Sequence, residues 1–554
     1  MPISTSLSLQ ALLKAAIARS GMSVPTKRIA GLTQAAQALA VAGARSRSAT
    51  VLLVVPVDAD VDQMTTDVRF FVAAMEGLSM AAAEQVVLPF PSLQIDPYRA
   101  LAPHFRVASA RARALHALGS GTARVVVASA AALLPRVSAP ARLLSASLEL
   151  KPGQEISPQD LAGVLVDGGF TREDPVDEHG EYCVRGGIVD VYPAGEAQPA
   201  RLEFVGDTIE SIRRYDPATQ RSIVPLDQLA VVPLREVFDE IPATGSFFDY
   251  LPDDTAIYVS ERDDVKAQAL KVVDQISASY EEIVDAPAER PPEPGDLFVD
   301  WQDVERQLAH ATELNQLAVG ETDRNASEGT LHIGTQPTPE FRGRIADWAA
   351  EVRRARERGE TVLFVAAGVG RAERTVELLA EYELRGVQLD RADDLHGAAV
   401  LVATGDLSRG FRLPAAELQI FAESDVFEED RRQAERRRSL AKTFLSDLRD
   451  LKPGDVVVHV DHGIGKFVGL KQIALGAGSS VSQEFMELRY AGEDKLFVPV
   501  ERLDLVQKYS GAAHPPLDRL GGTSWERAKT RVRKAMRDMA EELLKLYAAR
   551  KAVT

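Results

Sequence analysis

The sequence predicts an α/β protein of several domains, with a small, strongly twisted β module near its end. Three observations carry that prediction. At 554 residues the chain exceeds what one hydrophobic core organises. Through most of it, short β-branched runs alternate with amphipathic segments, the pattern of a mostly parallel sheet covered by helices. Residues 452–509 then read as strands without helices, "KPGDVVVHVDHGIGKFVGL" and "EFMELRYAGEDKLFVPVERLDLVQKY", punctuated by glycine turns.

Residues 7–39 are alanine-rich and read as helices. Residues 50–56 (TVLLVVP) form a short buried strand, and Val61, Met64, Val68, Phe71 and Val72 recur at helical spacing over 59–75. A strand at 86–90, a helix at 109–118 and a strand at 124–128 continue the alternation, so 1–146 is the first part of an α/β domain. From 147 the character changes. "EYCVRGGIVDVYPAG", "ARLEFVGDTIESIRRYD" and "QRSIVPLDQLAVVPL" are short strands joined by Gly, Pro and Asp turns, which marks an inserted α/β or mostly β domain over 147–235. Residues 236–335 are helical again, with strands expected at 256–259 and 297–299 and a surface turn or linker at 287–295; they complete the first sheet.

A further small α/β domain spans 336–427. A helix is expected at 343–358, then a strand, a glycine-containing turn and a helix in "TVLFVAAGVGRAERTVELLAEYEL", with strands at 399–403 and 418–421. The run 428–438 carries Arg431, Arg432, Arg436, Arg437 and Arg438, so 428–450 reads as an exposed linker or linker helix. The β module occupies 451–514. Gly463 and Gly465 sit where tight curvature or a bulge favours them, and Phe485, Glu487 and Arg489 alternate with Met486, Leu488 and Tyr490. So small a core leaves little room for catalytic machinery; the module is a docking unit or a spacer. Residues 515–554 form a helix opened by Trp525, amphipathic and cationic at its start, which caps the chain's own domains or packs on something outside it.

Composition narrows the function classes. A hydrophobic share of 45% with 26% charged residues is that of an ordinary soluble protein, and a formal charge of -17 argues against wrapping nucleic acid over the whole surface. The single cysteine, Cys183, excludes an internal disulfide and every multi-cysteine metal site, which fits a reducing, cytoplasmic setting. No segment reaches bilayer-spanning length without polar interruption, so membrane insertion is not expected.

Chemistry-bearing motifs are sparse. An ATPase needs Gly-x-x-x-x-Gly-Lys-Ser/Thr after a buried strand, and no such sequence occurs; Gly465-Lys466 is followed by Phe467. Gly368 and Gly370 follow a strand and open a helix, which fits either a tight packing turn or an anion site at the helix N-terminus. The first makes the chain a binding protein; the second would make it a nucleotide-binding hydrolase. His459, Asp461 and His462 lack third and fourth metal ligands. Asp174, Asp177, Glu178, His179 and Glu181 form a charged loop before a strand, and Cys183 on that strand reads as a core thiol. Arg185, beside Gly186-Gly187 and the apolar run from Ile188, either pairs within its domain or offers a fork to carboxylates of a partner, with Arg172, Arg201, Arg213 and Arg214 widening the patch.

Taken together, "FPSLQIDPY" (90–98), "EHGEYCVRGGIVDVYP" (178–193), "RLEFVGDTIESIRRYDPATQRS" (201–222), the two β-module segments and "LGGTSWERAKTRVRKAMRDMAEELLKLYAAR" (520–550) resemble the N-terminal half of the bacterial transcription-repair coupling factor family. The resemblance implies a UvrB-like first region without a working ATPase. It implies an inserted domain that recruits UvrA through Arg172, Arg185 and Ile188, with Thr171 competing for the position of Arg172. It also implies a β module that docks on the RNA polymerase β subunit through Phe485, Met486, Glu487, Leu488, Arg489 and Tyr490, with Leu488 and Arg489 foremost. The final helix resembles the connection to an ATP-driven double-stranded DNA translocase, and Arg527, Arg531 and Lys534 are its candidate DNA contacts. The chain departs from the family by stopping before any motor motif, so no catalytic residue, metal or cofactor is expected in it; ATP and magnesium belong to the full-length protein. A standalone UvrB-like DNA-binding protein is the remaining alternative.

Overall fold

A computed structural model describes residues 8–45, 48–99, 103–196, 198–217, 219–238, 243–284, 291–316, 329–389, 399–427, 454–459, 463–474, 482–492, 494–499, 506–508 and 517. The chain divides into two units, Met1–Glu428 and Glu429–Thr554. The expected linker at 428–450 and the final helix, with Arg527, Arg531 and Lys534, lie outside the described residues.

The first unit is built on a seven-stranded parallel sheet in the order Thr330–His332, Arg28–Ala30, Thr312–Asn315, Ala256–Ser260, Val51–Val55, Val125–Ser129 and Val87–Phe90. Val51–Val55 and Val125–Ser129 are buried at every residue, as central parallel strands covered on both faces must be. The Asp58–Glu76 helix turns Val61, Met64, Val68 and Phe71 into the core, and the Phe105–Gly119 helix buries Ala112, Leu115 and Leu118. Two expectations are corrected. Residues 7–39 are not helical throughout: between the Leu9–Ser20 and Gln34–Ala44 helices lies the strand Arg28–Ala30, three residues long and gripped on both sides by parallel neighbours. Residues 297–299 form no strand; Phe298 makes one isolated bridge to Pro135, and the strands that join the sheet from this region are Ala256–Ser260, Thr312–Asn315 and Thr330–His332.

Residues after 147 fold as a six-stranded sheet, ordered Ser222–Pro225, Thr208–Tyr215, Ala200–Val205, Ile188–Val191, Glu181–Arg185 and Thr171–Arg172, antiparallel except for the last pair. The entering strand Leu148–Leu150 pairs antiparallel with the leaving strand Leu229–Val231, so the insertion departs and returns at one place. Its return is tied to the first domain by Arg111, whose side chain is fully buried. That guanidinium donates to both carboxylate oxygens of Glu236 (2.5 and 2.7 Å) and to the carbonyls of Pro91 (2.8 Å) and Ala132 (3.3 Å), and it stacks on the Phe90 ring at 4.0 Å. Beside it, Gly195 donates to Ser109 Oγ (2.8 Å), and Ala112, Ala194 and Val232 pack together.

The third sheet runs Gln336–Pro337, Phe411–Leu413, Leu418–Ala422, Thr361–Ala366, Val400–Thr404 and Gly386–Gln388, with Trp348 of the Ile345–Glu357 helix buried on one face. Its other face shares one core with the first domain: Leu13, Leu39, Phe70 and Phe71 meet Leu363, Leu401, Phe411 and Ile420. Gly405 shows how close the approach is, because a Cβ there would lie 2.5 Å from the Phe70 ring. Asp67 on the Asp58–Glu76 helix accepts the Ser408 backbone N–H (2.7 Å) and hydroxyl (2.6 Å) across this boundary. Asp425 accepts from Gly410 N (2.7 Å) and Ala422 N (2.8 Å) behind the same loop. Burial pushes both carboxyls up to about 6.

The second unit contains a five-stranded antiparallel sheet in the order Lys495–Pro499, Ser482–Arg489, Gly463–Ala474, Val456–His459 and Val506–Lys508. The register of Gly463–Ala474 shifts between Phe467 and Gly469, where the strand bends. Val457, Phe467, Met486, Leu488, Tyr490 and Val498 make its core. Gly465 passes over the Tyr490 ring with room for little more than hydrogen, since a Cβ would sit 3.0 Å away.

Arg111→Met is expected to destabilise the protein by about 3–5 kcal/mol in denaturant unfolding, because it leaves the Glu236 carboxylate buried without its partner. Asp67 gives a pH signature. A carboxyl with a folded pKa above its unfolded value takes up a proton on folding between the two, so its contribution to stability falls as pH rises from about 4 to about 6. Asp67→Asn removes that dependence. Relative to the variant, the parent is expected to lose on the order of 3 kcal/mol over this range and nothing further above it, as read from unfolding curves at stepped pH.

Candidate partner-binding surfaces

The first surface is the tip of the hairpin made by Glu181–Arg185 and Ile188–Val191. Its two-residue loop is Gly186-Gly187, with Gly186 at φ 60. Gly187 lies against the next hairpin: its carbonyl accepts the Phe204 N–H at 2.7 Å, and a Cβ on it would meet the Phe204 carbonyl at 3.0 Å. Arg185 and Ile188 face each other across the loop. The Arg185 side chain is 43% exposed, yet its guanidinium donates to Asp190 Oδ2 at 2.6 Å and lies 3.5 Å from Asp174. Asp190 is fully buried and also takes the fork of Arg201 at 2.7 and 2.9 Å.

The other members of the expected patch are placed differently. Arg172 is exposed on the edge strand, but it registers with Tyr182, whereas Arg185 follows Cys183 on the opposite side of the pleat. Both arginines nonetheless lie close enough to Cys183 for their charges to act on its thiol. Arg201 is spent on Asp190 and stacks over Tyr215 at 4.7 Å, and Arg214 pairs with Glu196 at 2.6 Å; Arg213 is exposed. The acidic loop before the hairpin is bound into the fold. Glu181 accepts the N–H groups of Asp177 and Glu178 at 2.9 Å each, burial pushes its carboxyl up to about 7, and His179 stacks on Tyr192. Cys183 is buried, which raises its thiol pKa and keeps it a poor nucleophile.

The second surface is the outer face of the β module. Alternation along Ser482–Arg489 sends Met486 and Leu488, and Tyr490 after them, into the core; Leu488 is fully buried. Leu488, expected as the leading apolar contact, is thus a core residue, and Met486 and Tyr490 are too. The opposite parity forms the outer face. Phe485 and Arg489 are partly exposed there, and register places Lys471 beside Phe485, Phe497 beside Glu487, and Lys466 and Lys495 on either side of Arg489. Glu487 lies nearly buried beneath two of these cations, 2.9 Å from Lys471 Nζ and 3.8 Å from Lys495 Nζ. The hydrogen bond from Lys471 holds its carboxyl below the usual range. Lys471 also lies 5.6 Å over the Phe497 ring. Lysines 466, 471 and 495 and Phe497 escaped the sequence reading because only cross-strand register brings them to Phe485 and Arg489.

The nucleotide alternative meets two obstacles. At the Gly368 turn, Glu423 accepts the Ala367 N–H at 2.8 Å and pairs with Arg371 at 2.6 Å, so a carboxylate stands where phosphate would dock. A Cβ at Gly368 or Gly370 would meet nothing within 4 Å, so close packing does not demand glycine there either. A pocket of about 380 Å³ does open at the carboxyl ends of Val51–Val55 and Ala256–Ser260, where α/β folds commonly bind ligands. Asp60, Glu261 and Asp264 line it, a charge that repels phosphate. Among the described residues no group of three or more His, Cys, Asp or Glu can hold a metal, and no helix is long and apolar enough to cross a membrane. His459 is buried; Asp461 and His462 lie outside the described residues.

Three family models match, none of them an ATPase or helicase domain: the UvrB interaction domain over residues 148–237, the MFD D3 domain over 356–426, and the CarD-like/TRCF RID domain over 451–510. Similar full-length proteins include the transcription-repair-coupling factors of Myxococcus xanthus (29% identical, covering 96% of this chain and 50% of that protein), Bacillus subtilis (26%, 79% and 42%) and Escherichia coli (27%, 85% and 45%). The chain spans about half the length of the curated relatives it matches. By this domain composition and by these similarities along its length, the chain is a homologue of the bacterial transcription-repair-coupling factors.

Proposed function

We propose that this chain is the adaptor portion of a transcription-coupled nucleotide-excision repair factor, gripping stalled RNA polymerase with its β module and recruiting UvrA with its inserted domain. The observation that carries the reading is the pairing of surface and domain. In each of the two domains matched to interaction modules, cations stand over a buried carboxylate beside exposed or half-exposed apolar side chains, a build suited to an acidic protein partner. Arg185 with Ile188 is the UvrA contact in this reading. Arg172, exposed on the neighbouring edge strand, is the accompanying cation. Phe485 and Arg489 are the contacts to the polymerase β subunit, and Met486, Glu487, Leu488 and Tyr490 hold them in place.

The proposal extends to the longer protein. There the segment carrying Arg527, Arg531 and Lys534 leads toward an ATP- and magnesium-dependent translocase that moves double-stranded DNA and displaces the polymerase. The residues around Gly368 and in the acidic pocket do not fit a nucleotide, so that chemistry is assigned elsewhere.

Arg185→Glu is expected to weaken binding of purified UvrA roughly tenfold or more while leaving polymerase binding unchanged. Arg489→Glu with Phe485→Ala is expected to do the reverse. Both are read by biolayer interferometry with immobilised chain, and equal affinities for parent and variant at either surface remove that contact. Leu488→Ala has a different signature: roughly 2–5 kcal/mol of lost stability in the β module, seen as faster proteolysis within 451–514.

A further inference from the structure

We infer that Asp190 is the positioning residue of the UvrA-binding surface: it fixes the Arg185 guanidinium in a half-exposed, partly satisfied state, and affinity depends on that fixation. This rests on the preceding assignment of Arg185 to the partner surface. Asp190 has no exposed surface, and its Cα registers with Cys183 on one side and Arg201 on the other, in the middle of the sheet. Both its oxygens are used. Oδ1 receives Arg201 Nε at 2.7 Å, and Oδ2 is shared by Arg201 Nη2 at 2.9 Å and Arg185 Nη2 at 2.6 Å.

Arg201 holds Asp190 still. Its side chain is only 18% exposed, it makes the bidentate fork, and it lies over the ring of Tyr215, whose hydroxyl donates to the Val176 carbonyl at 3.1 Å. One carboxylate therefore serves two guanidinium groups, and the first is already a complete pair. The remaining neutralising group for Arg185 is Asp174, more distant at 3.5 Å from Nη1 and itself 57% exposed. Arg185 is thus anchored by one nitrogen and turned outward with the other. A carboxylate on a partner can displace Asp174 from Nη1 without disturbing the bond to Asp190. An arginine free to rotate must be immobilised on binding; this one has been immobilised during folding.

The test measures UvrA affinity of the full chain for Asp190→Asn, Arg185→Ala and the double variant. Asp190→Asn is expected to weaken binding roughly tenfold, with the double variant no weaker than Arg185→Ala alone. Binding equal to the parent, or losses that add in full, overturns the inference. Arg185→Lys gives a second arm that leaves Asp190 and Arg201 intact. A lysine ammonium has no rigid fork to hold Asp190 and a partner at once, so binding is expected to fall nearly as far as for Arg185→Ala. Near-parental affinity for the lysine variant shows that charge alone suffices and also overturns it. If Arg185→Ala binds UvrA like the parent, it is the surface assignment itself that fails.

Discussion

Whether the inserted domain can present a fixed surface depends first on Arg111. The domain leaves the first sheet at Leu148–Leu150 and returns after Leu229–Val231, and one two-stranded ribbon is a compliant joint. Arg111 stiffens it from below. The guanidinium satisfies five contacts at once, two on Glu236 at the return, two on carbonyls of the first domain and one on the Phe90 ring. A buried pair of this kind adds little net stability compared with an apolar substitute, since desolvation offsets most of its attraction. What it adds is direction. Only one orientation of the returning strand puts Glu236 on both nitrogens, and the small interface of Ala112, Ala194 and Val232 is too shallow to choose among tilts unaided.

The third domain is held by a different physics. Its sheet and the first domain's helices bury a single apolar core, with Phe70, Phe71 and Phe411 at the boundary, and that burial supplies the affinity. Specificity comes from the loop at 405–410, whose approach requires a glycine against Phe70 and whose backbone N–H groups are taken by Asp67 from one side and Asp425 from the other. Two buried carboxyls, both pushed up to about 6 by desolvation, are a costly way to fasten a loop. They fasten it in one register, because a shift of one residue would take the Ser408 and Gly410 N–H groups off their carboxylates.

How much of this was legible depended on whether the signal was local. Val51–Val55 and Val125–Ser129 announce themselves as β-branched runs, and the Gly186-Gly187 hairpin announces its turn. Arg28–Ala30 does not, because three residues carry no period; its neighbours on both sides, far along the chain, make it a strand. Phe298 and Val299 look like a strand and are only one bridge, since the segment is captured by the Leu134 carbonyl, which accepts the Val299 N–H, and by the Arg136 N–H, which donates to the Leu297 carbonyl, and not by the sheet. In the β module the alternation of 485–490 was visible, and the more apolar parity is indeed the core. Leu488 belongs to that apolar parity and packs in the core, so Phe485 and Arg489 of the other parity are the ones left partly exposed. Asp190 and Glu487 had no local signature, for their partners arrive from other strands.

Those two acids make the candidate surfaces comparable, and their differences predict different behaviour. Asp190 is gripped by the planar fork of Arg201, so the arginine it presents has a defined direction. Glu487 is covered by the flexible ammonium groups of Lys471 and Lys495, which are point charges on long stems and set a field more than a geometry. Recognition at the inserted domain should therefore be strict about the placement of a partner carboxylate and modestly sensitive to salt. Recognition at the β module should tolerate shifts in the partner and weaken more steeply with ionic strength, because exposed lysines are screened within roughly 8 Å at physiological salt. On the proposed polymerase surface, the pair of half-exposed rings, Phe485 and Phe497, would then supply what the lysines do not: a salt-independent, shape-dependent contact that keeps a charge-steered encounter from being promiscuous.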